Sequence, residues 1–462
     1  SQEKEEEKVN YIKGPSVLPL AQDTIAAIST PPGIGGLAVI RLSGPHALET
    51  IQPIFDSAEK LKPRYAVFGK LDHPSLSEAE FDECVITYFK GPHSVTGDDL
   101  VEISIHGGAF LQQKLLEVLL GAPNVRAASA GEFTFRSFLS GRIDLSRAEA
   151  VADLIHAKDE ASHKAAQHQL QGGLRSLVDS MSAKLIQSLT LLEAELDFSD
   201  QEIEFTSPSM LLPVLEELKQ TTHDLLESYF YGSRLEEGFR VPLIGAPNSG
   251  KSSLFNLLLG QDRAIVTSQA GTTRDTIEKS LIIAGHTVVL VDTAGLREAQ
   301  GEAELSGVDR SKEEVERADL IIIVHAPDTE TLEIPKLTNT HQIIVYNKVD
   351  TTQARPINKD VYISCTSREG LDQLKELLYT HVINMVNTGV QGVILHSERH
   401  RDVFLRFSCQ ITACEEAIAS DLGPEYIASD LRLALDILGE ITGKTTPDDI
   451  LNQIFSGFCV GK

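Results

Sequence analysis

Gly245-Ala246-Pro247-Asn248-Ser249-Gly250-Lys251-Ser252 stands near the middle of the chain, directly after the apolar run 241–244. An apolar strand, a glycine-bearing turn and a helix that begins with Lys and Ser make a phosphate-binding pattern. Backbone N–H groups of the turn face phosphate oxygens, Lys251 reaches the outer phosphates and the Ser252 hydroxyl can ligate Mg²⁺. Alone, such a loop can be an ordinary strand–helix turn. Four further motifs follow it in order. Gly271-Thr272-Thr273-Arg274-Asp275 offers Thr273 to complete Mg²⁺ and sense the outermost phosphate, and Asp292-Thr293-Ala294-Gly295 follows the apolar run 288–291. Asn347-Lys348-Val349-Asp350 follows 343–346, and Ser364-Cys365-Thr366 is expected on the next short strand.

The fourth motif chooses the base. A carboxylate at Asp350 accepts two hydrogen bonds from the guanine ring N–H and exocyclic amine. Adenine offers no such pair and would leave the carboxylate unpaired, so the nucleotide is GTP rather than ATP. The expected GTP contacts are Asn248, Ser249, Gly250, Lys251, Ser252, Ser253, Thr267, Thr272, Thr273, Asp292, Thr293, Ala294, Gly295, Asn347, Lys348, Asp350, Ser364, Cys365 and Thr366.

The composition of the 462-residue chain is that of a soluble globular protein, with 42% hydrophobic and 23% charged residues. No apolar run approaches the roughly 18 residues of a membrane-spanning helix, and the acidic N-terminus does not read as a signal peptide. A cytoplasmic location is therefore expected. The five cysteines are odd in number and show no zinc spacing, which points to reduced thiols. The net charge of −26 repels phosphate backbones, so any nucleic acid is held by a partner or a local basic patch. An acidic surface kept for solubility explains the charge equally well.

Outward from the loop, the chain divides into an acidic tail at 1–22, an α+β module at 23–138, helices at 139–236, the α/β G module at 237–384 and further helices at 385–462. In the α+β module, strands are expected at 24–29, 37–42, 83–89 and 100–105, with a helix at 109–120. Leu170, Leu174, Leu177, Met181 and Leu185 form one helical stripe, and a second helix from about 209 carries Leu212, Leu215, Leu218, Leu225 and Leu226. After the G module, helices are expected at 397–418, 426–438 and 448–456. The last is expected to start with a Thr446 hydroxyl cap and Pro447 in its first turn. Helices on both sides of the G module suggest one helical domain into which the G module is inserted.

Two features of the G site stand out. Many switch GTPases place a water-orienting Gln after Asp-x-x-Gly, and here that position is Leu296. Glu298, Glu302 and Glu304 are nearby carboxylates that can replace it, or they are simply solvated charges. Asn248 can ligate a monovalent cation beside the outer phosphates, or serve only as a turn residue. At the other end, the chain finishes Phe458-Cys459-Val460-Gly461-Lys462, which is no prenylation box. Cys459 reads either as an exposed thiol favoured by the Lys462 charge or as a small apolar group ending a helix.

The G motifs, the segment Thr30-Pro-Pro-Gly-Ile-Gly-Gly36, Gly131-Glu-Phe-Thr-Phe-Arg136, Arg142-Ile-Asp-Leu-Ser-Arg-Ala-Glu-Ala150 and the Cys-x-Gly-Lys end together resemble the tRNA modification GTPase family called MnmE or TrmE. The resemblance covers nearly everything after residue 22. It implies an N-terminal folate-binding and dimerising domain, a discontinuous helical domain and an inserted Ras-like G domain. It also implies a homodimer and a flavoprotein partner, MnmG (GidA), which carries FAD. The pair adds a carboxymethylaminomethyl or aminomethyl group to C5 of the tRNA wobble uridine. A tetrahydrofolate derivative (5-formyl or 5,10-methylene) supplies the one-carbon unit.

By position, the resemblance puts folate contacts at Arg41, Glu102, Arg142 and Lys462, and the base acting through a bridging water at Glu304. Potassium ligation falls on Asn248, Thr267, Gln269 and Thr272, and Mg²⁺ on Ser252 and Thr273. Cys459 takes the place of the family's essential thiol. Arg142 stands where Lys is common, and Cys365 where Ala is common. A ribosome-assembly GTPase is the rival reading, but such proteins append a basic RNA-binding module, and the segment after this G module is helical without a lysine-rich face.

Overall fold

The computed structural model describes residues 23–73, 81–197, 208–260, 277–292, 314–327, 329, 341–352, 356, 359–386 and 392–461. The N-terminal strands are β1 (Thr24–Ile28), β2 (Leu37–Ser43), β3 (Ala66–Leu71), β4 (Asp82–Phe89), β5 (Leu100–His106) and β6 (Val125–Ala127). They form one sheet in the order β3-β4-β5-β2-β1-β6, antiparallel except for the β1–β6 pair. The four strands read from the sequence are present. β3 and β6 were not expected: β3 carries a glycine and a lysine among its six residues, and β6 is only three residues long.

Alternation along the central strands sends Ile40, Leu42, Ile86 and Ile103 to one face, where Leu115 and Leu119 of α2 (Ala109–Leu120) cover them with residues of the short α1 (Ala47–Ile51). Each such buried aliphatic side chain is worth roughly 1.5–3 kcal/mol relative to exposure. A smaller cluster of Ile25, Ala27, Leu100 and Phe133 lies apart from it. Phe133 belongs to α3 (Glu132–Leu139), followed by α4 (Leu145–His156).

The helical stripe is interrupted where the sequence reading ran it through. Leu170 ends α5 (Glu160–Leu170), Gly172 takes φ +93°, and α6 (Gly173–Asp197) begins afresh, so Leu174, Val178, Met181 and Leu185 form the buried row. α7 (Leu212–Glu237) adds Leu215, Leu218 and Leu225. The same core takes Phe404, Phe407 and Ile411 from α10 (Glu398–Ala419), and Leu431 and Leu438 from α11 (Pro424–Thr442). Between these halves lie α8 (Lys251–Leu259), α9 (Leu371–Val386) and the second sheet, so the G module is inserted in one discontinuous helical core.

The second sheet comprises β7 (Phe239–Ile244), β8 (Ile277–Ile283), β9 (His286–Asp292), β10 (Leu320–His325), β11 (His341–Tyr346) and β12 (Val361–Tyr362), ordered β12-β11-β10-β7-β9-β8. Only β8 is antiparallel to its neighbour. β10 is buried along its whole length, as expected of a parallel strand covered on both faces, and its sequence is accordingly Leu-Ile-Ile-Ile-Val-His.

Residues 153–441 form one compact unit, and 23–152 with 442–461 form the other. The terminal helix α12 (Asp448–Ser456), expected with the other late helices, falls in the second of these units. Its Leu451 and Phe455 pack with Phe135, Leu145 and Ala148 of the N-terminal unit. Its start also differs: Pro447 is itself the N-cap, extended at φ −60° and ψ 147°, and no side-chain cap bond is made. Asp448 and Asp449 occupy the first turn, where the helix dipole favours them.

Candidate nucleotide and tail sites

The phosphate loop leaves the carboxyl end of β7 at the point where the sheet order turns between β10 and β9, the usual ligand crevice of an open α/β sheet. Asn248 and Gly250 take left-handed backbone angles, φ 62° and 96°. This curls successive N–H groups toward one concavity ahead of α8. Space is tight around it. A Cβ on Gly245 would meet the Val324 carbonyl oxygen at 2.3 Å, and one on Gly250 would meet Asn347 Nδ2 at 2.1 Å.

Lys251 is 7% exposed, and its Nζ donates to the carbonyls of Gly245 and Ala246 at 2.9 Å each. The ammonium is thereby held across the loop it must serve. Ser249 is fully buried, and its hydroxyl has no hydrogen-bond partner among the described residues. A buried unpaired hydroxyl costs about 1–3 kcal/mol, a cost expected where a polar ligand is to be met. Ser252, Ser253 and Asn248 are exposed at the mouth, as side chains that contact an incoming ligand must be.

Asn347 joins the base-reading motif to this loop. It is 1% exposed, its Nδ2 donates to the Ser249 carbonyl at 2.9 Å, and its Oδ1 accepts from Lys348 N at 2.8 Å and more weakly from Cys365 N at 3.4 Å. One amide side chain thus gathers the first, fourth and fifth motifs. Asp350 is exposed, available to a base. The fifth motif lies past β12 in a turn, not on the strand as expected. Ser364 N donates to the Glu369 carbonyl at 3.0 Å, and Ser364 Oγ accepts from Ser367 N at 3.0 Å. Cys365 is half-buried, and burial pushes its thiol up from the ordinary range, while Thr366 is exposed. Asp292 ends β9, 3% exposed.

Thr267, Gln269, Thr272, Thr273, Thr293, Ala294, Gly295, Leu296, Glu298, Glu302, Glu304 and Lys462 lie outside the described residues. Among those described, no cluster of three His, Cys, Asp or Glu side chains could hold a metal ion, and no helix is long and apolar enough to cross a membrane. The loop geometry, the buried lysine and the orphaned Ser249 hydroxyl fit a nucleotide phosphate chain. An Mg²⁺ ion beside it would draw on Ser252.

In the N-terminal unit, β register sets Arg41 opposite Glu102 and Glu102 opposite Thr87. Arg41 Nε and its terminal nitrogen both reach Glu102 Oε1 at 2.8 Å, with the two side chains 24% and 26% exposed. The pair is a charge-assisted contact on a partly open sheet face. Arg142 is not bonded to that pair; it donates to the Pro92 carbonyl.

The chain end reaches the same sheet. Val460 bridges to Ala130, the Gly461 carbonyl accepts from Ser29 Oγ at 3.0 Å, and Gly131 N donates to the Cys459 carbonyl at 3.3 Å. Gly461 adopts φ +88°, and a Cβ there would meet the Ile28 carbonyl oxygen at 2.4 Å. Cys459 lies beyond the last helix and is exposed, so it is no buried helix-ending group.

An ion cluster that sequence reasoning missed secures the neighbouring helix. Arg126 holds Glu132 through two nitrogens at 2.6 and 2.8 Å and Asp23 at 2.6 Å; Arg136 holds Asp23 at 2.8 Å and Glu132 at 2.9 Å. The spacing of Glu132 and Arg136, four residues apart on one helix, was the available signal. Burial pushes the Glu132 carboxyl up, but Arg126, the Ser129 amide and Arg136 outweigh it and hold it below the usual range.

Comparisons with known proteins agree across the chain. The family model described as the GTP-binding protein TrmE N-terminus matches residues 24–142, and that of the MnmE helical domain matches 145–459. The tRNA modification GTPase MnmE of Aquifex aeolicus is 39% identical over 458 residues, covering 96% of this chain and 100% of that protein. The proteins of the same name from Clostridioides difficile and Thermotoga maritima are each 37% identical, covering 95% of this chain and 99% and 100% of their own lengths. Solved structures match smaller parts. The G domain of Thermotoga maritima FeoB is 25% identical, with a TM-score of 0.25, and covers 31% of this chain and 98% of that chain. Era bound to MgGDPNP and 16S ribosomal RNA is 27% identical, with a TM-score of 0.24, and covers 31% of this chain and 56% of its own. With full-length relatives and both family models in agreement, the chain belongs to the MnmE (TrmE) family of tRNA modification GTPases.

Proposed function

We propose that this chain is a potassium-stimulated GTPase that drives modification of C5 of the tRNA wobble uridine, together with a flavoprotein partner of the MnmG (GidA) kind. The observation that carries the reading is the Asn347 side chain. It bonds the base-reading motif to the phosphate loop in a chain that matches a tRNA modification GTPase over 96% of its length.

Lys251 and the N–H groups of the loop bind and orient the β- and γ-phosphates, placing fixed positive charge where the transition state spreads negative charge. Ser252 and Thr273 would hold Mg²⁺, which would neutralise phosphate charge. Asn248, Thr267, Gln269 and Thr272 would hold K⁺, which would supply there the positive charge that an arginine finger gives elsewhere. Leu296 cannot orient water, so Glu304 acts as the base through a bridging water. Asp350 selects guanine. In the N-terminal unit, Glu102 faces the pterin amine and ring N–H groups of a tetrahydrofolate derivative, while Arg41, Arg142 and Lys462 attract its glutamate tail. Cys459, presented by the anchored tail, is the thiol required for modification. The chain acts as a homodimer, with FAD on the partner and much of the tRNA contact made there, consistent with its charge of −26. It works in the cytoplasm.

Mass spectrometry of wobble-uridine nucleosides from cells lacking the protein tests this. The C5-modified uridine should disappear and return with the wild-type gene. An unchanged profile would reject the tRNA role and leave ribosome assembly as the next reading.

A further inference from the structure

Arg240 lies on β7, the strand that ends in the phosphate loop. Its guanidinium holds Glu314 with two nitrogens, Nε to Oε2 at 2.9 Å and a terminal nitrogen to Oε1 at 3.1 Å, and that terminal nitrogen also holds Glu278. The two carboxylates belong to separate stretches of sequence. Glu278 follows the Gly271–Asp275 motif at the start of β8, and Glu314 follows both the Asp292–Gly295 motif and Glu304.

The peptide of Arg240 is held as firmly as its side chain. Asp319 Oδ2 accepts from Arg240 N at 2.8 Å, and Asp319 N donates to the Arg240 carbonyl at 3.0 Å. The other carboxylate oxygen of Asp319 accepts from Arg234 Nε at 2.6 Å, in the last turn of α7. Side-chain exposure is 41% at Glu278, 25% at Arg240, 13% at Glu314, 2% at Asp319 and 21% at Arg234. Partly desolvated, bidentate pairs are stronger than the exposed ion pairs that contribute little. A continuous set of charge-assisted bonds therefore runs from Glu278 and Glu314 through Arg240, Asp319 and Arg234 to the helix that supplies Leu215, Leu218 and Leu225 to the helical core.

We propose that Arg240 is a positioning residue that couples the two GTP-sensing motifs to the helical core through Asp319 and Arg234. The inference rests on the nucleotide-site reading above. In P-loop GTPases, contacts with the γ-phosphate hold two such stretches, and hydrolysis releases them. One guanidinium shared by Glu278 and Glu314, which follow those motifs in the sequence, ties the start of β8 to the stretch around residue 314, and Asp319 passes the result to α7.

The test is amide hydrogen exchange over residues 228–237 in the full chain, with GDP and with a non-hydrolysable GTP analogue, alongside GTP affinity and turnover. In the wild type, exchange at this end of α7 should differ between the two nucleotides. In Arg240→Gln the difference should vanish, the turnover number at saturating GTP should fall about tenfold, and GTP affinity should stay within about threefold. Glu314→Gln combined with Arg240→Gln should be no worse than Arg240→Gln alone, because both break one unit. Should Arg240→Gln fail to fold, Glu278→Gln and Glu314→Gln, which each leave the guanidinium one partner, carry the same readouts. A nucleotide-dependent difference that persists in the variants, or is missing from the wild type, would overturn the coupling. Loss confined to thermal stability would reduce the cluster to a structural role. Failure of the wild-type chain to bind GTP at all would instead overturn the nucleotide reading on which this coupling depends.

Discussion

The nucleotide site and the tail site are built by opposite means. The phosphate loop is a short run at the end of a strand, and its shape comes from local backbone chemistry: left-handed Asn248 and Gly250, then a helix start. In the N-terminal unit Arg41 meets Glu102 through strand register, and Ser29 and Ala130 meet Gly461 and Val460 of the returning end segment, partners far apart in sequence. The contrast teaches that a site made of local turns can be read from a sequence, whereas one made of strand register needs the fold. It also suggests that the two sites can be damaged separately.

The largest expected effect falls on base choice. Asp350→Asn should reverse the preference for guanosine over xanthosine triphosphate by roughly 10⁴-fold, the scale on which a site built for hydrogen bonds rejects a mismatched partner. Competition binding with the two nucleotides measures it, and continued tight GTP binding would remove Asp350 from the base site. Glu304→Ala should cut GTP turnover at least ~100-fold with affinity near normal; unchanged turnover in potassium would reject Glu304 as the base.

A third substitution probes the separation itself. Gly461→Ala places a Cβ at 2.4 Å from the Ile28 carbonyl at a backbone φ of +88°. Strain of this kind costs about 1–3 kcal/mol, enough to detach the tail. Modified uridine should fall about tenfold or more while GTP turnover stays intact. A parallel loss of both activities would mean that the two sites are not separable.

The smallest effect is in pH. Burial lowers the pKa of His286, which is 7% exposed in the unit that holds the nucleotide site, below its ordinary value. The unfolded chain therefore binds the proton first, so this unit should lose stability as pH falls from about 6.5 through the lowered folded value. In the N-terminal unit, burial raises the carboxyls of Asp23 and Glu132, but Arg126 and Arg136 hold both below the usual carboxylate range. Their contribution is complete above the unfolded pKa, near 4, and is lost only at more acid pH. Thermal unfolding followed separately for the two units should show the nucleotide-site unit softening first. The reverse order would contradict the assignment.

The same contrast explains how far the sequence could be read. Strands β1, β2, β4, β5, β7, β9 and β11 announced themselves by apolar runs, and helix α2 had the expected bounds. Helix α3 did not, because its N-cap is Gly131 at φ +66°, with no side-chain cap to mark the start. The Leu170–Leu185 stripe concealed the break at Gly172, because the 3.6-residue period nearly survives the turn. In the nucleotide site, the motifs were legible but their connector was not. Nothing in Asn347-Lys-Val-Asp350 reveals that the Asn347 amide bonds to Ser249, a contact spanning 98 residues. In the tail site, Arg41, Glu102 and Arg142 entered only through resemblance, and the bond from Arg142 to the Pro92 carbonyl depends on a loop whose shape no local pattern declares.

The most direct test of the account is the wobble-uridine content of tRNA from cells that lack the wild-type protein and carry Cys459→Ser instead, a variant whose purified form should hydrolyse GTP at the wild-type rate. The account predicts that the C5-modified uridine stays absent, because the thiol on the anchored tail is needed for modification and the nucleotide site is not touched. Restoration of the modified nucleoside to wild-type levels would contradict it.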